Sequence, residues 1–262
     1  GKLRADAIAS RWSVEHLQTM LSAAALDALM RDSRLPALVE LAEQEDPAAT
    51  LTRFFILGVP ERASALDRAL PSLGALGLEA LGLAAAIDEA DAARALPRLC
   101  AKRAGAQEAT ARPAATVPAM IDPSGEAPGS VEVSDPWMRA LFDLRPHAAT
   151  TPDGDHEWWV ASDLSEVQTG KPLCDDHVLG IGGATLTLLE MTVRESVESA
   201  LDVGCGCGIQ ALYLATHASR VVATDLSSRA CALTQFNAAL NEVTIDVREG
   251  SLFEPVEGET FD

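Results

Sequence analysis

A glycine-rich turn between a short apolar strand and a helix constrains this chain more than any other feature. Residues 197–208 read VESALDVGCGCG, a strand that ends in Asp202 and is followed by glycines at every second position, Gly204, Gly206 and Gly208. Glycine reaches the backbone angles of a tight turn without strain, and its missing Cβ lets the main chain approach a ligand closely. Apolar residues at helical spacing follow, so the first amides of a helix are expected to face the same cleft. The segment predicts the strand, turn and helix of a nucleotide-binding site.

Two further strands extend this unit. Residues 220–225 read RVVATD and predict a second buried strand that ends in Asp225. A βαβ unit places an acid at this point, where its carboxylate accepts hydrogen bonds from the ribose hydroxyls of a nucleotide. Ser227 or Ser228 is expected to cap the next helix, and the alternation over residues 243–247 predicts a third strand. The order is therefore β-α-β-α-β.

These residues resemble the class I, Rossmann-like S-adenosylmethionine-dependent methyltransferases. The matching motifs are residues 202–208, 224–226 and 250–253, and the resemblance covers roughly residues 174–262. It implies that the turn lies against the methionine and ribose of S-adenosylmethionine, with Asp225 on the ribose and the third motif at the adenine. Such enzymes often have an acid or amide after the third strand, where this chain has Ser251, so that contact would fall to the backbone. The implied cofactor-binding residues are Asp202, Gly204, Cys205, Gly206, Gly208, Asp225, Leu226, Ser251 and Leu252.

A dinucleotide-binding dehydrogenase is the less favoured interpretation of the turn. Nicotinamide dinucleotide sites use G-x-G-x-x-G to place a pyrophosphate at the helix N-terminus, whereas here Asp202 directly precedes a G-x-G-x-G run. A carboxylate at this position repels pyrophosphate and suits a ligand that carries an ammonium and a sulfonium.

A second glycine cluster precedes the first strand, within residues 175–193. In the small-domain methyltransferases, which modify rRNA guanines or release-factor glutamines, a helix at this place covers the cofactor. That resemblance implies contacts from Gly183 and Thr185. A loop that simply leads into a helix packed on the sheet is an equally good interpretation.

The chain divides into a helical N-terminal domain (residues 1–100), a flexible linker rich in Ala and Pro (101–130), a β-hairpin connector (131–173) and the S-adenosylmethionine-binding domain (174–262). Helical spacing with caps at Ser13 and Asp46 predicts about five helices in the first domain, and the last two could form a winged helix. In the hairpin, Trp158 and Trp159 are expected to pack against the next domain rather than stack on a substrate. The fold class is thus α/β, a mainly helical N-terminal domain followed by a partial Rossmann-like methyltransferase domain.

Composition excludes several classes of protein. A formal net charge of −19 repels phosphate backbones and argues against indiscriminate nucleic-acid binding. The odd number of cysteines, two of them in the glycine turn, predicts a reduced, cytoplasmic protein without a disulfide framework. Cys205 and Cys207 have no second pair at zinc spacing, so no metal site is expected. No membrane span or signal peptide is expected either. The oligomeric state stays open.

The predicted function is transfer of a methyl group from S-adenosylmethionine to nitrogen. The expected substrate is a macromolecule, an rRNA or tRNA base or a protein glutamine, and the choice between RNA and protein stays open. The related enzymes carry an Asn-Pro-Pro-aromatic motif after their fourth strand; residues 1–262 contain none, so the domain is expected to be truncated before that strand. No residue is required as a base, and residues 175–177 (Asp-Asp-His) are interpreted as ordinary loop polar groups. The alternative is a non-catalytic cofactor-binding or scaffold protein.

Overall fold

The structure is a computed structural model that describes residues 1–31, 33–95 and 135–262. The predicted linker, residues 101–130, lies outside the described residues. The described residues form a helical N-terminal part, a long hairpin and a parallel three-stranded sheet with helices.

The N-terminal part contains more helices than the sequence predicts. The predicted caps are confirmed: Ser13 Oγ accepts a hydrogen bond from the His16 amide at 3.1 Å, and Asp46 Oδ1 accepts one from the Ala48 amide at 2.8 Å. The estimate of five helices is wrong because most of these helices span two turns or fewer, and their many alanines mark no distinct apolar face. The described α-helices are α1 (Lys2–Ala9), α2 (Val14–Met20), α3 (Ala23–Met30), α4 (Leu35–Leu41), α5 (Pro47–Leu51), α6 (Ala63–Ala69), α7 (Gly74–Ala80) and α8 (Glu89–Ala95), with a π-helical turn at Thr52–Ile56.

A small antiparallel sheet completes this part of the chain. Its strands are β1 (Glu61–Arg62), β2 (Ala84–Ile87) and β3 (Trp137–Ala140), and β3 lies between the other two. Residues 137–140 fall within the predicted hairpin connector, but they pair with the N-terminal part instead. Pairing between residues so far apart leaves no local signal in the sequence. Helices α6 and α7 precede β2, an order that agrees with a winged helix; that hypothesis stays a prediction.

A buried ion pair lies at the centre of the helical part. Arg53 and Glu61 are almost fully buried, and Arg53 Nε donates to Glu61 Oε1 at 2.6 Å. Arg53 Nη1 also donates to the carbonyls of Leu41 and Gln44, both at 2.9 Å. A buried guanidinium with its donors satisfied in this way fixes the relative positions of α4, the π-helical turn and β1.

The hairpin consists of β4 (Phe142–Thr151) and β5 (Gly154–Asp163), with Pro152 and Asp153 in the turn. Trp158 and Trp159 are buried. The Trp158 ring meets Tyr213 edge to face with centroids 5.0 Å apart, and Trp159 Nε1 donates to the Trp12 carbonyl at 2.9 Å. Trp158 therefore packs against the C-terminal part, as predicted, whereas the Trp159 ring contacts the N-terminal part, which the sequence did not predict.

The C-terminal part begins with helices α9 (Glu166–Thr169) and α10 (Gly183–Met191). The β-α-β-α-β order that follows is confirmed, as β6 (Val197–Val203), α11 (Ile209–Leu214), β7 (Ala218–Asp225), α12 (Ser228–Leu240) and β8 (Asp246–Glu249). The strands are parallel with β7 in the middle. The third strand lies about three residues later than predicted, because Val243 and Ile245 pack against the core as part of the connection from α12.

Two asparagines, Asn237 on α12 and Asn241 at its C-cap, bind the hairpin to this helix. Asn237 Oδ1 accepts from the Ala161 amide and Asn237 Nδ2 donates to the Ala161 carbonyl, both at 2.8 Å. Asn241 makes the same pair of bonds to Trp159, at 2.9 and 2.8 Å. Because residues i and i+4 of a helix lie on one face, the two amides pair with alternate residues of β5 as a neighbouring strand would.

Candidate functional site

The glycine turn after β6 opens onto an empty space at the carboxyl edge of the sheet. The amides of Gly204 and Cys205 both donate to the Thr224 carbonyl on β7, at 2.8 and 3.0 Å. Gly204 and Gly206 have φ angles of +78° and +55°, which other residues adopt only with strain. A Cβ at either position would meet no atom within 4 Å. The glycines therefore allow the backbone to turn sharply, and they leave no side chains on the side where a ligand can approach.

Asp225 connects the motif at residues 224–226 to the motifs at residues 202–208 and 250–253. Its Oδ2 accepts a hydrogen bond from the Gly206 amide and its Oδ1 accepts one from the Ser227 amide, both at 2.9 Å. The Gly250 amide donates to the Asp225 carbonyl at 2.9 Å. Each carboxylate oxygen keeps a second lone pair, so Asp225 can still accept hydrogen bonds from a ligand.

Asp202 is a buried acid with one unpaired oxygen. Burial raises the pKa of its carboxyl to about 6; a backbone hydrogen bond from Ala211 acts in the opposite direction, and the negative charge of Asp225 adds to the increase. Within the described part of the chain, no hydrogen-bond donor reaches Asp202 Oδ2. An unpaired buried carboxylate oxygen is unfavourable, and a cationic ligand would relieve it.

Exposed apolar side chains flank the ends of β7 and β8. Leu226 is 75% exposed and Leu252 is 67% exposed, although both are large and apolar. Leu252 also has a φ of +48°, and its carbonyl lies 3.4 Å from Thr224 Oγ1. Ser251, next to it, is partly buried. Exposed apolar side chains at these strand ends can pack against a flat, apolar ring.

Two of the predicted site residues face the protein interior. The Cys205 side chain is buried and its Sγ lies 3.3 Å from Thr234 Oγ1, so only its backbone borders the cleft. A Cβ at Gly208 would lie 2.7 Å from Thr234 Cγ2, which shows that this glycine is needed for packing against α12. The burial of Cys205 and Cys207 raises the pKa of both thiols, that of Cys205 to about 12. They are packing residues rather than reactive thiols.

The structure adds two supporting residues that the sequence analysis did not single out. Thr234 Oγ1 donates to the Gly206 carbonyl at 3.0 Å, and Asn237 Nδ2 donates to the Cys207 carbonyl at 2.8 Å. Both side chains are fully buried on α12. Their polar character on the inner face of a helix was the available signal, since buried polar groups are usually held by specific partners.

Helix α10 lies beside the helix that follows the glycine turn. Gln210 Nε2, in the first turn of α11, donates to the Thr185 carbonyl at 3.1 Å. Gly183 begins α10 and is exposed, and Thr185 is partly buried. These two residues are therefore close to the start of α11, where the cleft begins.

The described residues fit S-adenosylmethionine at this edge of the sheet. The unpaired carboxylate suits its ammonium group, the bare turn admits its sulfonium and ribose, and the two leucines suit its adenine. Among the described residues, no cluster of His, Cys, Asp or Glu has the arrangement of a metal site. No described helix is long and apolar enough to cross a membrane.

A parallel sheet with this turn, two strand-end acids and flanking helices defines the C-terminal part as a Rossmann-like, class I methyltransferase domain. Residues 180–262 match the family model described as methyltransferase small domain. Residues 9–96 match a domain of unknown function, DUF7059.

The similar proteins include two ribosomal protein L11 methyltransferases. That of Lactobacillus johnsonii is 32% identical over 123 residues, which are 45% of this chain and 38% of the relative. That of Thermotoga maritima is 43% identical over 95 residues, 32% of this chain and 36% of the relative. A solved structure of a ribosomal protein L11 methylase from Lactobacillus delbrueckii is 30% identical with a TM-score of 0.28, covering 35% of this chain and 54% of that one. The chain thus matches less than two fifths of the length of these two curated relatives.

Proposed function

We propose that this chain binds S-adenosylmethionine at the carboxyl edge of β6, β7 and β8 and belongs to an enzyme that methylates a macromolecule, specifically a protein. The observation that carries the proposal is the unpaired, buried oxygen of Asp202 beside a bare glycine turn that is fastened to Asp225. A βαβ unit that served only as scaffold would gain nothing from this unpaired carboxylate.

Each site residue has a distinct role in this proposal. Asp202 faces the ammonium group, and the backbone at Gly204, Cys205 and Gly206 borders the methionine and ribose. The free lone pairs of Asp225 accept the ribose hydroxyls. Leu226, Leu252 and the backbone of Ser251 contact the adenine. Gly208 allows the turn to pack against α12. Gly183 and Thr185 cover the bound cofactor.

The bound cofactor supplies an electrophilic methyl group, and the chain supplies alignment and exclusion of water. The charge of Asp202 lies where it stabilises a positively charged ligand in a poorly solvated site. Nothing else in the glycine turn carries charge, so the turn acts through its shape and its amides.

A protein substrate is favoured over RNA by two observations. The curated relatives described above are named as methyltransferases of a ribosomal protein. The chain also carries a formal net charge of −19, which opposes approach to a phosphate backbone. We also propose that the methyl group is transferred to nitrogen and that the protein is cytoplasmic. The alternative, a non-catalytic cofactor-binding or scaffold protein, is not favoured, since these relatives are named as enzymes.

Calorimetric titration with S-adenosylhomocysteine, the demethylated cofactor, tests the site. We expect binding by the wild-type chain and no measurable binding by Asp225→Ala. Asp246→Ala is the matched control, because Asp246 lies at the end of β8 away from Gly250 and, among the described residues, its side chain pairs with Arg248 on the surface. Equal binding by all three proteins, or no binding by the wild type, would refute the proposal.

A further inference from the structure

Helix α11, which follows the glycine turn, contacts three other parts of the protein within about one turn of helix. The Ala211 backbone amide donates a hydrogen bond to the Asp202 carboxyl group. Gln210 Nε2 donates to a carbonyl of α10 at 3.1 Å. The Tyr213 hydroxyl lies 2.9 Å from His147 Nε2 on the hairpin. Because α11 has only six residues and is about 9 Å long, a displacement at one of these contacts is transmitted to the other two.

The bond between Tyr213 and His147 lies in an aromatic cluster, which we define as His147, Trp158 and Tyr213. Trp158 lies directly across the hairpin from His147, and the two rings stack with centroids 6.4 Å apart. Trp158 also meets the Tyr213 ring edge to face. Burial lowers the pKa of His147 and raises the pKa of Tyr213, so both side chains are uncharged near neutral pH. The aromatic cluster therefore holds the two partners of a neutral, directional hydrogen bond in place.

Helix α10, the cover of the cofactor in the proposed function, is held near the same cluster. Among the nine described residues of α10, only Leu189 is buried, so apolar packing holds this helix weakly. Arg194, just beyond α10, donates to the Leu189 carbonyl at 3.1 Å and to the Thr150 carbonyl of the hairpin at 3.3 Å. The guanidinium carbon of Arg194 lies 5.6 Å from the centroid of the Tyr213 ring. The position of α10 thus depends on the hairpin and on α11 together.

We propose that Tyr213 is a positioning residue for the cofactor site and that the hairpin influences cofactor affinity through it. The inference rests on the proposed function. The hydroxyl bond to His147 fixes the position of α11 relative to the hairpin. Helix α11 then presents the Ala211 amide to Asp202 and the Gln210 side chain to α10. A phenylalanine in place of Tyr213 would fill the same space, so the hydroxyl bond is the feature that sets the direction of the helix.

The first test removes this hydrogen bond from each side. Tyr213→Phe and His147→Phe both keep a ring in the aromatic cluster, and a third protein carries both substitutions. In calorimetric titration with S-adenosylhomocysteine at pH 8, each single variant is expected to bind about fivefold more weakly than the wild type, at the lower end of coupling between sites. The double variant should bind no more weakly than either single variant, because all three lack the same bond.

His156→Phe is the matched control for His147→Phe. His156 also lies on the hairpin and stacks on Trp158, with ring centroids 5.1 Å apart. Its Nε2 lies 2.9 Å from an oxygen of Asp153 in the hairpin turn rather than from a residue of α11. We therefore expect His156→Phe to bind S-adenosylhomocysteine like the wild type.

A second measurement separates positioning from a general loss of structure. It is a ¹³C NMR titration of the Asp202 carboxyl group without ligand. Burial raises the pKa of Asp202 to about 6, and the hydrogen bond from Ala211 acts against this increase. If α11 shifts and this bond weakens, the pKa of Asp202 should rise further in Tyr213→Phe and stay unchanged in His156→Phe. A general loosening of the fold would instead admit water and lower this pKa towards its ordinary value.

Four results would each overturn the inference: wild-type affinity in Tyr213→Phe, additive losses in the double variant, an equal loss in His156→Phe, or an Asp202 pKa that stays or falls in Tyr213→Phe. A wild-type chain that does not bind S-adenosylhomocysteine would instead refute the proposed function on which the inference rests.

Discussion

The Gly206 amide donates a hydrogen bond to Oδ2 of Asp225 at 2.9 Å, which joins the bend after β6 to the acid at the end of β7. Thr234 holds the carbonyl of the same glycine at 3.0 Å. The peptide groups on both sides of the Gly206 Cα are therefore fixed, while the space next to the Cα is empty. The bend is prearranged for a ligand rather than formed by one.

Gly206→Ala is expected to abolish binding of S-adenosylhomocysteine. A Cβ at φ +55° is strained by about 1–2 kcal/mol and would project into the bare side of the bend. Gly258→Ala is the control, because Gly258 has a φ of +79° with nothing near its Cβ position and lies outside the site. Urea unfolding should give similar losses of stability for both variants, whereas calorimetry should detect a binding defect only for Gly206→Ala. Normal binding by Gly206→Ala would contradict the assigned role of the bend.

Asp202→Asn is expected to stabilise the chain more at pH 8 than at pH 5. The pKa of Asp202 is raised from 3.8 to about 6, so the folded chain holds this proton more tightly than the unfolded chain. The stabilising contribution is complete below pH 3.8 and is lost as the pH rises through about 6. Above that pH the buried charge destabilises the fold by on the order of 3 kcal/mol, at 1.36 kcal/mol per pKa unit. Urea unfolding at the two pH values measures the difference, and a larger gain at pH 5 than at pH 8 would be the contrary result.

The same ionisation predicts a pH dependence of cofactor binding. A ligand with an ammonium group favours charged Asp202, so the Kd for S-adenosylhomocysteine should rise about tenfold per pH unit below pH 6. Calorimetry from pH 5 to 8 measures this slope, and Asp202→Asn should flatten it. A wild-type Kd that is constant over this range would show that Asp202 does not contact the ammonium group of the ligand.

Asn237→Ala is expected to destabilise the chain by about 1–3 kcal/mol, because it leaves buried groups of Ala161 and the Cys207 carbonyl without partners. Gln235→Ala is the control on the same helix, where the side chain is exposed. Urea unfolding gives the stability, and near-ultraviolet circular dichroism reports the packing of Trp158 and Trp159. Equal stability of the two variants would show that the hairpin is held by apolar packing alone.

Arg53→Met is expected to destabilise the chain by about 3–5 kcal/mol, because Glu61 would remain as a buried charge without its partner. The exposed pair of Arg31 and Asp27 provides the comparison, and Arg31→Met should change the stability by less than about 1 kcal/mol. Urea unfolding of both variants measures the contrast. A double variant, Arg53→Met with Glu61→Leu, should recover much of the loss.

The methyltransferase motifs were predictable from the sequence because their determinants are local. The glycines at alternate positions and the acids Asp202 and Asp225 each lie at a strand end, where residue type alone indicates the backbone path. The length of β8 was less predictable, since alternation over residues 243–247 is equally consistent with a packed connection.

Contacts between distant residues were not predictable. His177 and Asp163 are separated by fourteen positions, and nothing in either segment marks them as a pair. Asn237 lies 76 positions from Ala161, and an asparagine on a helix does not indicate which backbone it will hold. The short helices of the N-terminal part were missed for the different reason that alanine packs well without defining a face.

The paired strands Ala84–Ile87 and Trp137–Ala140 join the part of the chain before residue 96 to the part after residue 134. A fragment that ends at residue 95 lacks the middle strand of its own sheet, so the N-terminal folding unit is discontinuous along the sequence. Proteolytic cleavage anywhere in residues 96–134 should leave two pieces that co-purify and melt together.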